Sequence, residues 1–178
     1  MIDRFSSSGY VGFDVLQLAS GESLNLRQLP AFLRVLLTTD GTVTKILESY
    51  FWEPVNVNRL AQRRLLLDCK SNNLNLNAGD EVIERRVSLS GGKSTRLYAL
   101  ARSLLNPEAL PANVVKELEG EQVGIGEVLR ESGLETYREL LSISQDGTNI
   151  SRTYRILLAG KPCMEICENF PLEIYKQN

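Results

Sequence analysis

The sequence predicts an α+β protein, a single domain over residues 1–178 in which a mostly antiparallel sheet of about six strands carries helices on one face. Three observations lead there. The stretches Asp80 to Leu105 and Arg152 to Phe170 each alternate side-chain character with period two on both sides of a glycine-containing turn, which is hairpin patterning. Apolar residues spaced three and four apart, opened by proline or threonine, mark short helices near 30–51 and 112–132. No internal repeat, low-complexity tract or long linker divides the chain.

Taken in order, the first 20 or so residues, with Ser6-Ser7-Ser8-Gly9, read as loosely ordered. Pro30 suits the first turn of a helix in which Phe32, Val35 and Leu36 share a side, and Thr38-Thr39-Asp40-Gly41 breaks it. Thr42 can cap a second helix, Val43 to Phe51, with Ile46, Leu47 and Tyr50 inward, so that the two make an antiparallel helical pair. Glu53-Pro54 ends the pair, and Val55 to Gln62 reads as a strand with Val55 and Val57 on one face. The asparagines 72, 73, 75 and 77 make Leu65 to Gly79 an irregular surface excursion pinned by Leu74 and Leu76.

In the hairpin that follows, Ile83, Arg85, Val87 and Leu89 share one face of the outgoing strand, and Glu84, Arg86, Ser88 and Ser90 share the other. On the return strand Leu97, Ala99, Ala101 and Leu105 form the apolar row, with Arg96, Tyr98 and Arg102 facing away. Pro111 opens a helix from Ala112 to Glu119, and Val123-Gly124-Ile125-Gly126 opens another that Gly133 stops. Thr136, Tyr137 and Ile143 make Leu134 to Ile143 a strand. In the last strand Met164, Ile166, Glu168 and Phe170 share a face, with Cys163, Glu165 and Cys167 on the other.

Composition excludes several function classes. Twenty basic and 22 acidic residues leave a net charge of -2, which makes no electrostatic case for nucleic acid or an anionic membrane. No run approaches the ~18 apolar residues of a membrane span, and Met1-Ile2-Asp3-Arg4-Phe5 lacks a secretory layout, so a soluble, cytoplasmic protein is expected. No apolar stripe remains after the core is assigned, so a monomer is expected. Cys69, Cys163 and Cys167 are expected to be free thiols. The absence of histidine excludes every mechanism resting on it as base or metal ligand. Gly92-Lys93-Ser94 superficially matches a phosphate loop, but Val87 stands where the earlier glycine is required, and the segment joins two strands.

Arg85 and Glu168 each place a charge in an apolar row. Burying a guanidinium without a carboxylate costs several kcal/mol, so the partner comes from the protein or from a ligand. One arrangement is a purely structural ion pair, or side chains that snorkel to the sheet edge. The other is a pocket between sheet and helices, where Arg85 binds a carboxylate and Glu168 meets a hydroxyl or a moving proton. Gly124-Ile125-Gly126 adds backbone N–H groups at a helix start, which suit an anion.

Four segments, in order from about Leu36 to Pro171, carry a family resemblance: Asp40-Gly41-Thr42-Val43-Thr44-Lys45, Arg85-Arg86-Val87-Ser88-Leu89, Gly124-Ile125-Gly126, and Gly160-Lys161-Pro162 through Glu168. Together they resemble the chorismate pyruvate-lyase family. The resemblance implies conversion of chorismate to 4-hydroxybenzoate and pyruvate for quinone biosynthesis, without metal or organic cofactor. It implies that Arg85 holds the ring carboxylate and Glu168 contacts the ring hydroxyl and assists proton movement, while main-chain groups at Val43 and Ile125 close over the ligand. An apolar setting is expected to raise the Glu168 pKa. Chorismate is a dianion, so its second carboxylate needs amides near Ile125 or another base, with Lys45, Arg138 and Arg152 as candidates. Arg86 takes the arginine role if the strand is shifted by one. Val43, Ile125 and Cys167 stand where the better-known bacterial enzymes carry methionine, leucine and threonine, which places the chain nearer a divergent branch. A related fold serves as the effector-binding part of transcription regulators, so the alternative is a non-catalytic sensor of small carboxylates.

Overall fold

Alternating side chains build the strands, and where the alternation slips decides which residues face inward. The computed structural model describes residues 15–18, 21–120 and 124–175. Strand β1 (Val15–Gln17) lies inside the stretch expected to be loosely ordered, most of which lies outside the described residues, and pairs antiparallel with β2 (Ser23–Asn25) just after it. Helices α1 (Ala31–Thr38) and α2 (Val43–Phe51) follow, then β3 (Val55–Leu66), β4 (Glu81–Gly91) and β5 (Leu97–Leu105). Helices α3 (Ala112–Gly120) and α4 (Ile125–Glu131) lead to β6 (Thr136–Gln145), β7 (Asn149–Leu158), β8 (Lys161–Pro171) and the single turn α5 (Leu172–Tyr175).

The main sheet has six strands in the order β3-β4-β5-β8-β7-β6, with every neighbouring pair antiparallel. It is two three-stranded meanders, β3-β4-β5 and β6-β7-β8, joined through β5 and β8. That join brings the outgoing strand of the first hairpin within one strand of the last strand of the chain.

Helices cover one face of the sheet in two groups. At one end, α1, α2 and α5 bury Leu33, Leu36, Leu37, Leu47 and Tyr175 against Leu89, Ala99, Ile150 and Phe170. At the other, α3 and α4 bury Val114, Leu118, Val128 and Leu129 against Ile83, Leu105, Ile156 and Met164. Each central strand is therefore apolar at both ends of its inner face and differs in the middle. Arg85 and Val87 lie there on β4, Ser103 and Ala101 on β5, Ile166 and Glu168 on β8, and Tyr154 and Arg152 on β7. The uncovered seam between the helical groups lies over this middle stripe. On the opposite face the 67–80 excursion lays Leu74 on Val82 and Leu104, as its leucines implied.

Several expectations need correction. The buried stripe of α1 is Leu33, Leu36 and Leu37, and Val35 is exposed, because the i, i+3, i+4 set facing the sheet starts one residue later than Phe32. In α2, Val43 and Leu47 are buried while Tyr50 is half-exposed, stacked on Phe32 with ring centroids 3.6 Å apart. Tyr98 is buried instead of facing away with Arg102, because the β4–β5 register shifts beside it and turns its ring onto Phe51. A second shift, between Leu157 opposite Pro162 and Ile156 opposite Met164, leaves Cys163 as an extra residue and buries it in the core, away from the face of Cys167. All three cysteines are free.

Candidate active site

The phosphate-loop-like turn resolves first, and it is internally occupied. Glu53 accepts hydrogen bonds from the backbone N–H of Lys93 (2.8 Å) and of Ser94 (2.9 Å), and from the Ser94 and Tyr98 hydroxyls. The hydroxyl bond from Ser94 leads the group of donors that holds the Glu53 carboxyl down at about 2. A side-chain carboxylate thus fills the place that a phosphate would take.

The seam between the helical groups opens into a cleft of about 610 Å³, counting its mouth. Its floor is the middle stripe of the sheet: Arg85, Val87, Ala101, Ser103, Tyr154, Ile156, Ile166 and Glu168. One lip is the turn at 41–44 that starts α2, and the other is the turn at 124–126 that starts α4. All four residues singled out from the sequence, Val43, Arg85, Ile125 and Glu168, line this one cleft. Arg86 does not. It points to the opposite face, where its half-exposed guanidinium lies 3.3 Å from Glu84.

Arg85 is 2% exposed. Burial, followed by the charge of Arg59, depresses its guanidinium below the usual range. Glu168, also buried, does not stand alone in an apolar setting as expected. Arg152 Nε donates to its Oε2 at 2.7 Å and the Tyr154 hydroxyl donates to its Oε1 at 3.1 Å. Arg152 is itself fixed by a 2.6 Å hydrogen bond from Nη1 to the Thr39 carbonyl, which ties the sheet to the lip before α2. Burial opposes the Arg152 charge, but Glu168 more than compensates and raises its pKa. Burial, reinforced by the Glu168 charge, raises the Tyr154 hydroxyl as well, keeping it a donor.

Arg152, offered by the sequence as a candidate for a second carboxylate, is instead the partner of Glu168. It shares the inner face of β7 with Ile150, Tyr154 and Ile156, and it sits opposite Glu168 only because of the extra residue at Cys163. An unbroken hairpin would set it against Cys167. The signal was present as a third charge in an apolar row, on the neighbouring strand of the same hairpin.

Two further features shape the mouth. Arg138, opposite Ile156 on β6, lines the cleft. A Cβ built on Gly126 would lie 3.2 Å from Thr42 Cγ2 and 3.7 Å from Arg138 Nη2, so the two lips approach closely at this glycine. The α2 N-terminus, which makes no side-chain cap bond and has no acidic residue in its first turn, opens onto the same cleft. Its free N–H groups favour negative charge there.

A family model described as chorismate pyruvate-lyase Rv2949c-like matches residues 37–177, the whole stretch that builds this cleft. The chain belongs to this family. Among curated relatives, the chorismate pyruvate-lyase of Mycobacterium leprae (strain TN) is 28% identical over 167 residues, 85% of this chain and 79% of the relative. That of Mycobacterium tuberculosis (strain ATCC 25618 / H37Rv) is 25% identical over 169 residues, 85% of each. Identity at this level fits the divergent branch of the family. Among solved structures, the effector domain of PhnF from Mycobacterium smegmatis superposes with a TM-score of 0.52 at 11% identity, over 74% of this chain and 88% of that one. The C-terminal domain of the histidine utilization repressor from Pseudomonas syringae pv. tomato str. DC3000 gives 0.51 at 8% identity, over 70% and 96%. These two likenesses concern the fold. No helix among the described residues is long and apolar enough to cross a membrane.

Proposed function

We propose that the chain is a chorismate pyruvate-lyase that forms 4-hydroxybenzoate and pyruvate, with the aromatic acid feeding quinone biosynthesis. The observation that carries this reading is the convergence of buried Arg85 and buried Glu168 on one cleft with apolar walls. Arg152 pairs with Glu168, and Arg85 and Arg138 line the same cleft, two cations for a dianion.

The ring carboxylate lies against Arg85, and the C4 hydroxyl donates to Glu168, held in place by Arg152 and Tyr154. Val87, Ile156 and Ile166 pack on the ring and exclude water, which strengthens both polar contacts. In this pose the C4 proton leaves, the C3–O bond breaks and the ring becomes aromatic. The departing enolpyruvate takes a proton at its methylene and becomes pyruvate, so no net proton is consumed. Aromatisation drives the step, and the task of the chain is to hold the dianion in the reactive geometry. Support comes from family membership and from the cleft geometry together.

The fold shared with PhnF and the histidine utilization repressor favours a second reading, a domain that binds a small carboxylate and leaves it intact. Incubating purified protein with chorismate separates the two by following ultraviolet absorbance of the ring. A lyase yields 4-hydroxybenzoate catalytically, whereas a sensor returns chorismate unchanged after a measurable heat of binding.

A further inference from the structure

We infer that Arg138 is the anchor for the second carboxylate of the substrate, the one on the enolpyruvyl side chain, and so sets selectivity for a dicarboxylate over the monocarboxylate product. The inference rests on the lyase reading of the cleft. Three cations could serve this carboxylate, and the structure separates them. Arg152 is committed, with Nε on Glu168 and Nη1 on the Thr39 carbonyl. Lys45 lines the two outer grooves beside Glu48 and Tyr50 and contributes nothing to the cleft that holds Arg85. Arg138 lines that cleft, and among the described residues no carboxylate pairs with it.

Its position also fits. The register sets Arg138 opposite Ile156 on β6, one strand beyond Tyr154 and two beyond Glu168, while Arg85 lies on β4, two strands from Glu168 on the other side. The two arginines therefore bracket the cleft with Glu168 between them, as the two carboxylates of chorismate bracket its ring. Arg85 is fully buried and Arg138 half-buried, close to where the lips meet at Thr42 and Gly126. The ring carboxylate goes in deep, and the enolpyruvyl group faces the mouth through which pyruvate leaves.

The test compares two ligands on the wild-type chain and on Arg138→Gln. 4-Hydroxybenzoate affinity is taken from its heat of binding, and chorismate affinity from KM where product forms or from heat of binding where none does. Losing one charge-assisted hydrogen bond weakens chorismate roughly tenfold to a hundredfold. The expected result is that loss with 4-hydroxybenzoate affinity unchanged within about twofold, and partial recovery in Arg138→Lys. Unchanged 4-hydroxybenzoate binding also certifies that the variant folds. Chorismate affinity that does not move, or that falls in step with 4-hydroxybenzoate, overturns the assignment. Wild-type protein that binds chorismate and makes no product defeats the lyase reading while leaving the two-ligand comparison decisive for Arg138.

Discussion

Glu168 and Arg152 form a buried ion pair, and this sets what their substitutions do. Replacing Glu168 with glutamine strands the Arg152 guanidinium beneath the lip, a change of the kind that costs about 3–5 kcal/mol in denaturant unfolding. Replacing both, as Glu168→Gln with Arg152→Met, removes the stranded charge, so much of that loss is recovered while turnover stays abolished. Recovery of activity with stability would reduce the pair to a structural role. Arg85→Ala acts differently, raising KM and lowering kcat together in initial-rate measurements, because a ring that loses its carboxylate contact is both held less and placed worse. Arg85 and Glu168 were legible in the sequence because each breaks an apolar alternation. The pairing of Arg152 with Glu168 was not, because the extra residue at Cys163 changes its partner from Cys167 to Glu168.

At the scale of elements, the strands are stapled on the face away from the cleft. Glu84 on β4, 4% exposed, takes Arg63 of β3 at 3.0 Å and Arg102 of β5 at 2.7 Å. The bond from Arg102 outweighs burial and, with Arg86 and Arg63, lowers the Glu84 carboxyl from 4.5 to about 2. A carboxyl lowered on folding contributes stability above its unfolded pKa and loses it as pH falls through the folded one. The Tm gap between wild type and Glu84→Gln should thus be full above pH 4.5 and close on descent to about 2. The lips supply a second prediction. Gly126→Ala favours the helix intrinsically but sets a methyl 3.2 Å from Thr42 Cγ2. The expected outcome in paired assays is an unchanged or higher Tm with a severalfold higher KM for chorismate. Both hairpins and the α2 start were readable from turns and periodicity, whereas the register shifts beside Tyr98 and at Cys163 were not, and the inward turn of Tyr98 stacks it on Phe51 of a helix distant in sequence.

For the whole molecule, placing helices at both ends of one sheet face creates a hollow only if the middle of each strand departs from the apolar pattern, and four strands do so in register. The α+β class and the side that helices cover could be read from the element list. The strand order could not, because joining the two meanders through β5 and β8 depends on pairs 59 to 69 residues apart. That join is what sets Arg85 and Glu168 on one floor. The most direct test supplies chorismate to the purified protein and quantifies pyruvate and 4-hydroxybenzoate over time. The account predicts equal amounts of both, many per protein molecule, falling to background in Arg85→Ala. Chorismate recovered intact from a protein that binds it would contradict the account.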